Sequence, residues 1–263
     1  MLPGDDGALD LLTRGRIEVE GRLVDASNAT LFCAISLDGV AAKCVYKPVR
    51  GERPLWDFPN GTLAGREVSA YLISEASGMG VVPPTVLRPG PFGEGMVQLW
   101  VDTAEDDLVD IVAEREVPDG WRVVLHAHDR YGEPAVLVHA DHERMRMMAA
   151  FDVVVNNADR KGGHVLHALD GSVYGVDHGI CLHTEDKLRT VLWGFLGDRL
   201  HAEAVEALRR LRSELDGPLG DDLHDHLTRG EVRTLVERTE KLLAAGSYPA
   251  PSSDWPSIPW PAF

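Results

Sequence analysis

The chain has 263 residues, with 26 lysines and arginines against 42 aspartates and glutamates, a formal net charge of −16. At 44 % hydrophobic and 26 % charged residues it has the composition of a folded protein with a sizeable core, in one large domain or two lobes. The acidity argues against nucleic-acid partners and against a polybasic membrane anchor, because phosphate-rich surfaces repel the molecule overall; a local basic pocket is still compatible with it.

Cys33, Cys44 and Cys181 are odd in number and lack CxxC spacing, so they read as buried thiols of a reducing compartment. The N-terminal stretch has no basic region followed by an apolar one, and no apolar run approaches the ~18 residues of a membrane span. A cytoplasmic protein without integral membrane association is expected.

Residues 1–15 read as an N-terminal extension. From Arg16, Ile17, Val19 and Leu23 alternate with charged residues as in a strand. Ala29 to Leu37 and Lys43 to Val49 give two more strands, separated by the hairpin dipeptide Asp38-Gly39. Arg50 to Gly61, with its prolines and glycines around Trp56, is a loop. Val68, Tyr71, Leu72 and Glu75 then follow helical spacing, and Gly78 stops that helix. Val81 to Val86 and Met96 to Val101 read as strands on either side of a turn-rich Arg88 to Gly95.

Glu105 to Ala113 and Glu143 to Val155 read as helices, with a polar stretch of no clear pattern between them. Short strands lie around Val165 and over Val173-Tyr174-Gly175-Val176. In Leu200 to Leu215 the apolar positions step by three or four, and Gly217-Pro218 ends the run. Thr228 with Glu231 forms a capping-box pattern before Val232, and Gly246 closes that helix. The tail, 247–263, carries Trp255, Trp260 and repeated prolines, and is expected to lie extended and packed on the protein itself. The expected organisation is a β-rich N-lobe over 16–101 and a mainly helical C-lobe over 102–246.

The string Asn156-Asn157-Ala158-Asp159-Arg160-Lys161-Gly162-Gly163-His164, followed by Asp177-His178-Gly179, carries the chemistry. Phosphoryl transfer needs one carboxylate to orient or deprotonate the acceptor hydroxyl and another to hold a divalent cation on the phosphates, with cations to offset charge. Asp159 and Asp177 are the two acids of such a set. Lys47, in the third strand, suits a lysine reaching the α/β-phosphates, and Glu67 in the following helix suits its partner. Lys43 competes, because even spacing puts it on the same strand face. Ser27 and Asn28, between the first two strands, stand where a phosphate-covering loop would lie, and Gln98 and Trp100 where adenine would be met. The plainer readings are a simple turn at Asp159, a hairpin turn at Asp177-His178-Gly179, a surface lysine at Lys47 and a solvated charge at Glu67. The pairs His126/His128, His139/His142 and His224/His226 lack the spacing and third ligand of a zinc site.

On these motifs the chain resembles the phosphatidylinositol 3-/4-kinase family, and more closely a small actinobacterial branch of phosphatidylinositol-kinase-like proteins related to HipA-type kinases. The resemblance implies an α+β, bilobal protein-kinase-like fold that uses ATP with Mg²⁺ or Mn²⁺. It implies Asp159 as base or orienting carboxylate, with Arg160 and Lys161 offsetting charge or organising the loop. It also implies Asp177 as the main metal ligand and His164 as the second. Lys161 stands where the family has histidine, and His164 where it has asparagine; imidazole suits Mn²⁺ better than Mg²⁺.

The implied activity is transfer of the γ-phosphate to a hydroxyl acceptor: a soluble inositol-like polyol, an inositol lipid, or a protein serine or threonine. The acidic surface and the lack of a basic amphipathic helix favour a soluble acceptor. A catalytically impaired, nucleotide-binding pseudokinase is the alternative, and nucleotide transfer a third reading.

Overall fold

Leu11 and Leu12 of a short helix, α1 (Ala8–Arg14), pack on one face of an antiparallel sheet built from β1 (Arg16–Arg22), β2 (Leu31–Leu37), β3 (Val40–Pro48), β4 (Thr85–Gly90) and β5 (Gly93–Leu99). The strand order is β1-β2-β3-β5-β4. The computed structural model describes residue 5 and residues 7–23, 29–253 and 255–263. Between β3 and β4 runs α2 (Leu63–Ser77).

Cys33, Ile35, Cys44, Tyr46, Val97 and Leu99 bury the face that α1 covers. On the opposite face Met96 packs against Ala64 and Val68 of α2. Met96 is the cross-strand partner of Lys47, so Lys47 stands on the α2 side of the sheet.

Asp38 and Gly39 both have positive φ, 49° and 85°, the requirement of the tightest β2–β3 hairpin. The sequence did not signal α1, and β4 and β5 extend through the segment read as a turn. Proline and glycine suggest a break there, yet β4 is an edge strand, where the missing N–H of Pro89 need not cost a ladder bond. Gly95 is required at its place, because a Cβ there would lie 2.5 Å from the Lys47 carbonyl oxygen.

The expectation of a helix over Glu105 to Ala113 is wrong. Val109–Ala113 is a strand, β6, and the polar stretch after it contains β7 (Trp121–His128) and β8 (Pro134–Ala140), in the order β6-β8-β7. Val109, Ile111 and Val112 are β-branched and favour the pleated surface that β8 offers. The mainly helical part therefore begins only with α3 (Glu143–Val155).

A two-stranded hairpin follows, β9 (Val165–His167) and β10 (Val173–Gly175), and then α4 (Ala202–Glu214), α5 (Pro218–Leu223) and α6 (Arg229–Ala245). Pro218, read as a terminator, starts α5 from its first turn, where a proline needs no N–H partner. The main core joins Met148, Phe151 and Val154 of α3 to Leu208 and Leu211 of α4, and to Leu235 and Leu242 of α6. Ala70 and Ile73 of α2 enter the same core, so α2 is buried on nearly every side, between that core and the five-stranded sheet.

The tail packs on the protein itself. The Ser257 carbonyl accepts from Thr190 N at 3.1 Å and Trp193 Nε1 at 2.7 Å, while Ile258 and Ala262 pack into the main core. Trp255 stacks on Lys187, whose ammonium lies 4.4 Å from the ring centroid and 2.7 Å from Asp57 in the 50–61 loop. The three cysteines are free and buried. Among the described residues no helix is long and apolar enough to cross a membrane.

Candidate functional site

Lys47 and Glu67 come from the two elements that face each other across the cleft side of the sheet. Glu67 is held by a well-capped α2: Thr62 Oγ1 accepts from Gly65 N at 2.9 Å, and Glu52 accepts from Leu63 N and Ala64 N at 3.0 and 2.8 Å. Lys47 Nζ donates to Glu67 Oε1 at 2.8 Å and also to Asp177 Oδ1. The competing Lys43 shares the strand face but pairs with Glu20 near the sheet edge, at 2.5 Å.

The β9–β10 hairpin explains how His164 and Asp177 meet. His164 directly precedes β9 and Asp177 follows β10 by two residues, so pairing Val165 with Gly175 brings the flanking positions together. Val176 N closes the register by donating to the His164 carbonyl at 3.0 Å. Asp177 itself has φ 62°, a left-handed conformation that aspartate tolerates better than most residues.

Asp159 is set by the end of α3. Asn156 terminates that helix with φ 52°, and Asn157 Oδ1 accepts from Asp159 N at 3.0 Å in an Asx turn. The turn reading and the functional one are therefore compatible here. Lys161 Nζ lies 3.8 Å from Asp159 Oδ2.

Lys47, Glu67, Asp159, Lys161, His164 and Asp177 line one cavity of about 170 Å³, together with Glu52, Ala29, Thr30 and Gly179. That volume is below the ~300–1,000 Å³ of pockets that enclose a whole small ligand, and suits a phosphate chain with one cation. A larger cavity of about 300 Å³, between α6 and the tail, contains none of the expected residues.

The charges inside are strongly coupled. The Lys47 ammonium holds the Asp177 carboxyl well below the usual carboxylate range. Burial works against the Lys47 charge, but Glu67 and Asp177 overcome it and raise its pKa. Burial pushes Glu67 up despite Lys47, and pushes Asp159 up despite Lys161 and Arg189. A raised carboxyl is a better proton acceptor when ionised, as a general base requires.

His164 is neutral at physiological pH, its pKa lowered by burial to about 4. Its Nδ1 lies 2.9 Å from the Asp159 carbonyl oxygen, which can only accept, so Nδ1 carries the proton. Nε2 therefore presents a lone pair to Asp177 Oδ2 at 3.3 Å. Two acceptors facing each other with no proton between them fit a shared cation. Among the described residues no group of three or more His, Cys, Asp or Glu side chains is placed to hold a metal. An ion here would take two protein ligands and complete its shell with water and phosphate oxygens, the usual Mg²⁺ or Mn²⁺ arrangement on a nucleotide.

Ser27 and Asn28 fall outside the described residues. Gln98 is buried and donates to Thr85 Oγ1 at 2.9 Å, and Trp100 packs edge-on against Phe32; neither lines the cavity. Arg160 is fully buried and does not line the cavity, though its charge still reaches Asp159 and His164. Its guanidinium binds Asp152, the carbonyls of His164 and Val176 at 3.1 Å each, and His178 Nε2 at 2.6 Å. It organises the loop, by tying both ends of the β9–β10 hairpin to α3. His178 is its second buried partner.

Glu52, Asp152, Ala262 and Phe263 also support the site, beyond the residues the sequence motifs mark. Asp152 had a signal: it is the lone charge in Met147 to Val155, a run otherwise apolar. For Glu52 and the tail residues the sequence offers none.

No protein-family model matches the chain. Among solved structures it is similar to the crystal structure of a Helicobacter pylori proinflammatory kinase, CtkA, with TM-score 0.45 and 12 % identity, over 90 % of this chain and 94 % of that one. With Protein Rv2133c of Mycobacterium tuberculosis (strain ATCC 25618 / H37Rv) it is 49 % identical over 96 % of this chain and 94 % of that protein. Identity at that level along nearly the whole of both sequences leaves the relationship plain: the chain belongs to the family of Protein Rv2133c.

Proposed function

We propose that this protein is an ATP-dependent phosphotransferase that moves the γ-phosphate to a hydroxyl group. The observation that carries the reading is Lys47 bonded to both Glu67 and Asp177, in one cavity with Asp159 and His164. In it, residues 16–101 and 102–246 act as the two lobes and the phosphates lie between them. Lys47, oriented by Glu67, neutralises phosphate charge; Lys161 adds a second cation beside Asp159. Asp159 holds the acceptor hydroxyl in line and takes up its proton. Asp177 and His164 would hold a divalent cation, which would supply charge screening of the phosphates, and His164 favours Mn²⁺. The acceptor is a soluble polyol or a protein hydroxyl rather than a bilayer lipid, in keeping with a net charge of −16.

Calorimetry with ATP and Mn²⁺ or Mg²⁺, followed by mass spectrometry for autophosphorylation and γ-labelled ATP for transfer to inositol, tests this. Metal-dependent binding with label transfer is expected. Absence of nucleotide binding with either ion removes the reading. One observation favours the second reading, a nucleotide-binding module without turnover: Lys47 already neutralises Asp177, the carboxylate a metal would need. Nucleotide binding without transfer or hydrolysis marks that outcome.

A further inference from the structure

The loop that carries Lys161 and His164 leans on the tail. Gly162 N donates to the Ala262 carbonyl at 2.8 Å, across the chain from a residue that is itself buried in the main core. Gly162 opens the single 3₁₀ turn Gly162–His164, closed by His164 N donating to the Lys161 carbonyl at 3.2 Å. The first N–H groups of such a turn have no partner within it, and here the tail supplies one. Phe263 adds a steric match: a Cβ on Gly162 would lie 2.2 Å from Phe263 Cε1 and 2.6 Å from Cζ, so the ring occupies the place of a side chain. The turn is thus clamped from outside by a hydrogen bond and a ring, while Arg160 holds the His164 carbonyl from inside.

We infer that Ala262 and Phe263 are positioning residues for the metal half of the site, setting the 162–164 turn so that His164 Nε2 faces Asp177. The inference rests on the reading of His164 and Asp177 as cation ligands. Neither tail residue lines the cavity; both act through the backbone of the turn. Phe263 is about half exposed, at 47 %, so removing its ring costs the fold little while releasing Gly162. Partners that orient a metal ligand typically change affinity about 10- to 100-fold when lost.

The test is Mn²⁺ binding followed by electron paramagnetic resonance, without nucleotide, on the full chain and on Phe263→Ala, Phe263→Leu and Gly162→Ala. Phe263→Ala is expected to weaken Mn²⁺ about 10-fold with an unchanged melting temperature, and Phe263→Leu to restore most of the loss. Gly162→Ala is expected to weaken it as well, and the double variant Gly162→Ala/Phe263→Ala to do no worse than Phe263→Ala alone, because the ring is gone. In parallel, amide exchange at Gly162 should accelerate when residues 262–263 are deleted.

Wild-type Mn²⁺ affinity in Phe263→Ala overturns the inference, as does unaltered exchange at Gly162 in the deletion. If the wild-type chain binds no Mn²⁺, the ligand assignment fails and the inference falls with it. That outcome is distinct from the first two.

Discussion

Arg160 and Asp152 meet with 2.9 Å between Nη2 and Oδ1, and neither side chain is exposed to solvent. Such a pair is weak evidence of net stability, but removing one partner leaves the other charged and buried, at a cost of about 3–5 kcal/mol. Asp152→Asn is expected to lower unfolding free energy by that amount in urea titrations. Gly175→Ala should be comparably harmful, because its Cβ would lie 2.7 Å from Arg160 Nη2. Arg14→Ala, which breaks an exposed pair with Asp10, should stay within about 0.5 kcal/mol of the parent.

Lys47 competes with any cation for Asp177. Lys47→Met therefore has two effects of opposite sign: weaker ATP binding, and tighter Mn²⁺ binding in the absence of nucleotide. Calorimetry for the first and paramagnetic resonance for the second check both. Loss of Mn²⁺ binding in this variant would contradict the arrangement of the three residues.

Asp177→Asn isolates the carboxylate charge. Asparagine also tolerates the left-handed backbone at φ 62°, so the turn survives the substitution where alanine would strain it. Phosphotransfer is expected to fall on the order of 10²- to 10³-fold, as when one group stabilising transition-state charge is removed, with the melting temperature nearly unchanged. Initial rates with labelled ATP decide it, and a full rate would rule out the metal-ligand role.

The fold should weaken in mild acid. His139 accepts from Gly194 N at its Nε2, 3.1 Å away, and its Nδ1 lies 3.0 Å from the Ala140 carbonyl oxygen, so it is held neutral. Burial lowers His139 and His164 to about 4, and holds His178 well below its usual value. In the unfolded chain each takes up a proton near pH ~6.5, while in the folded protein none does until far lower. Stability is therefore full above pH ~6.5 and falls as pH drops towards ~4, by up to about 1.4 kcal/mol per pH unit for each histidine.

Asp57, Asp141 and Glu231, whose pKa values are lowered, lose their contributions only below the ordinary carboxylate range. Glu67, Glu75 and Asp159, raised by burial, oppose the trend as pH approaches that range. Urea midpoints between about pH 7.5 and about pH 5.5 therefore report the histidines, and His139→Gln should flatten the slope.

Much of the cavity was legible because its residues sit at element ends that leave local marks. The Asn156-Asn157 break, the glycines after Lys161 and the strand before Asp177 all announce turns, and turns are where side chains are presented. Lys47 could be told from Lys43 only by what each reaches, which depends on α2 and on Glu20 rather than on strand period. The Arg160–Asp152 pair was hidden because a loop arginine reads as exposed until a buried partner is known. Gln98 is expected where adenine would be met, and its amide donates to Thr85 on the neighbouring strand, a register fact no single segment contains. The helix expected over Glu105 to Ala113 fails for the same reason. Val109 to Ala113 is compatible with either period, and only pairing with β8 chooses.

Lys47 and Asp177 are separated by 130 positions, and so are Asp57 and Lys187. Both contacts stitch the same two stretches of chain together, one at the cavity and one beside Trp255. A cut between residues 101 and 102 would therefore leave each fragment with part of the cavity's polar set: a lysine and two glutamates in one, two aspartates, a lysine and a histidine in the other. Neither fragment carries the whole cavity. Recovery of the proposed activity from the two pieces would measure their reassociation directly.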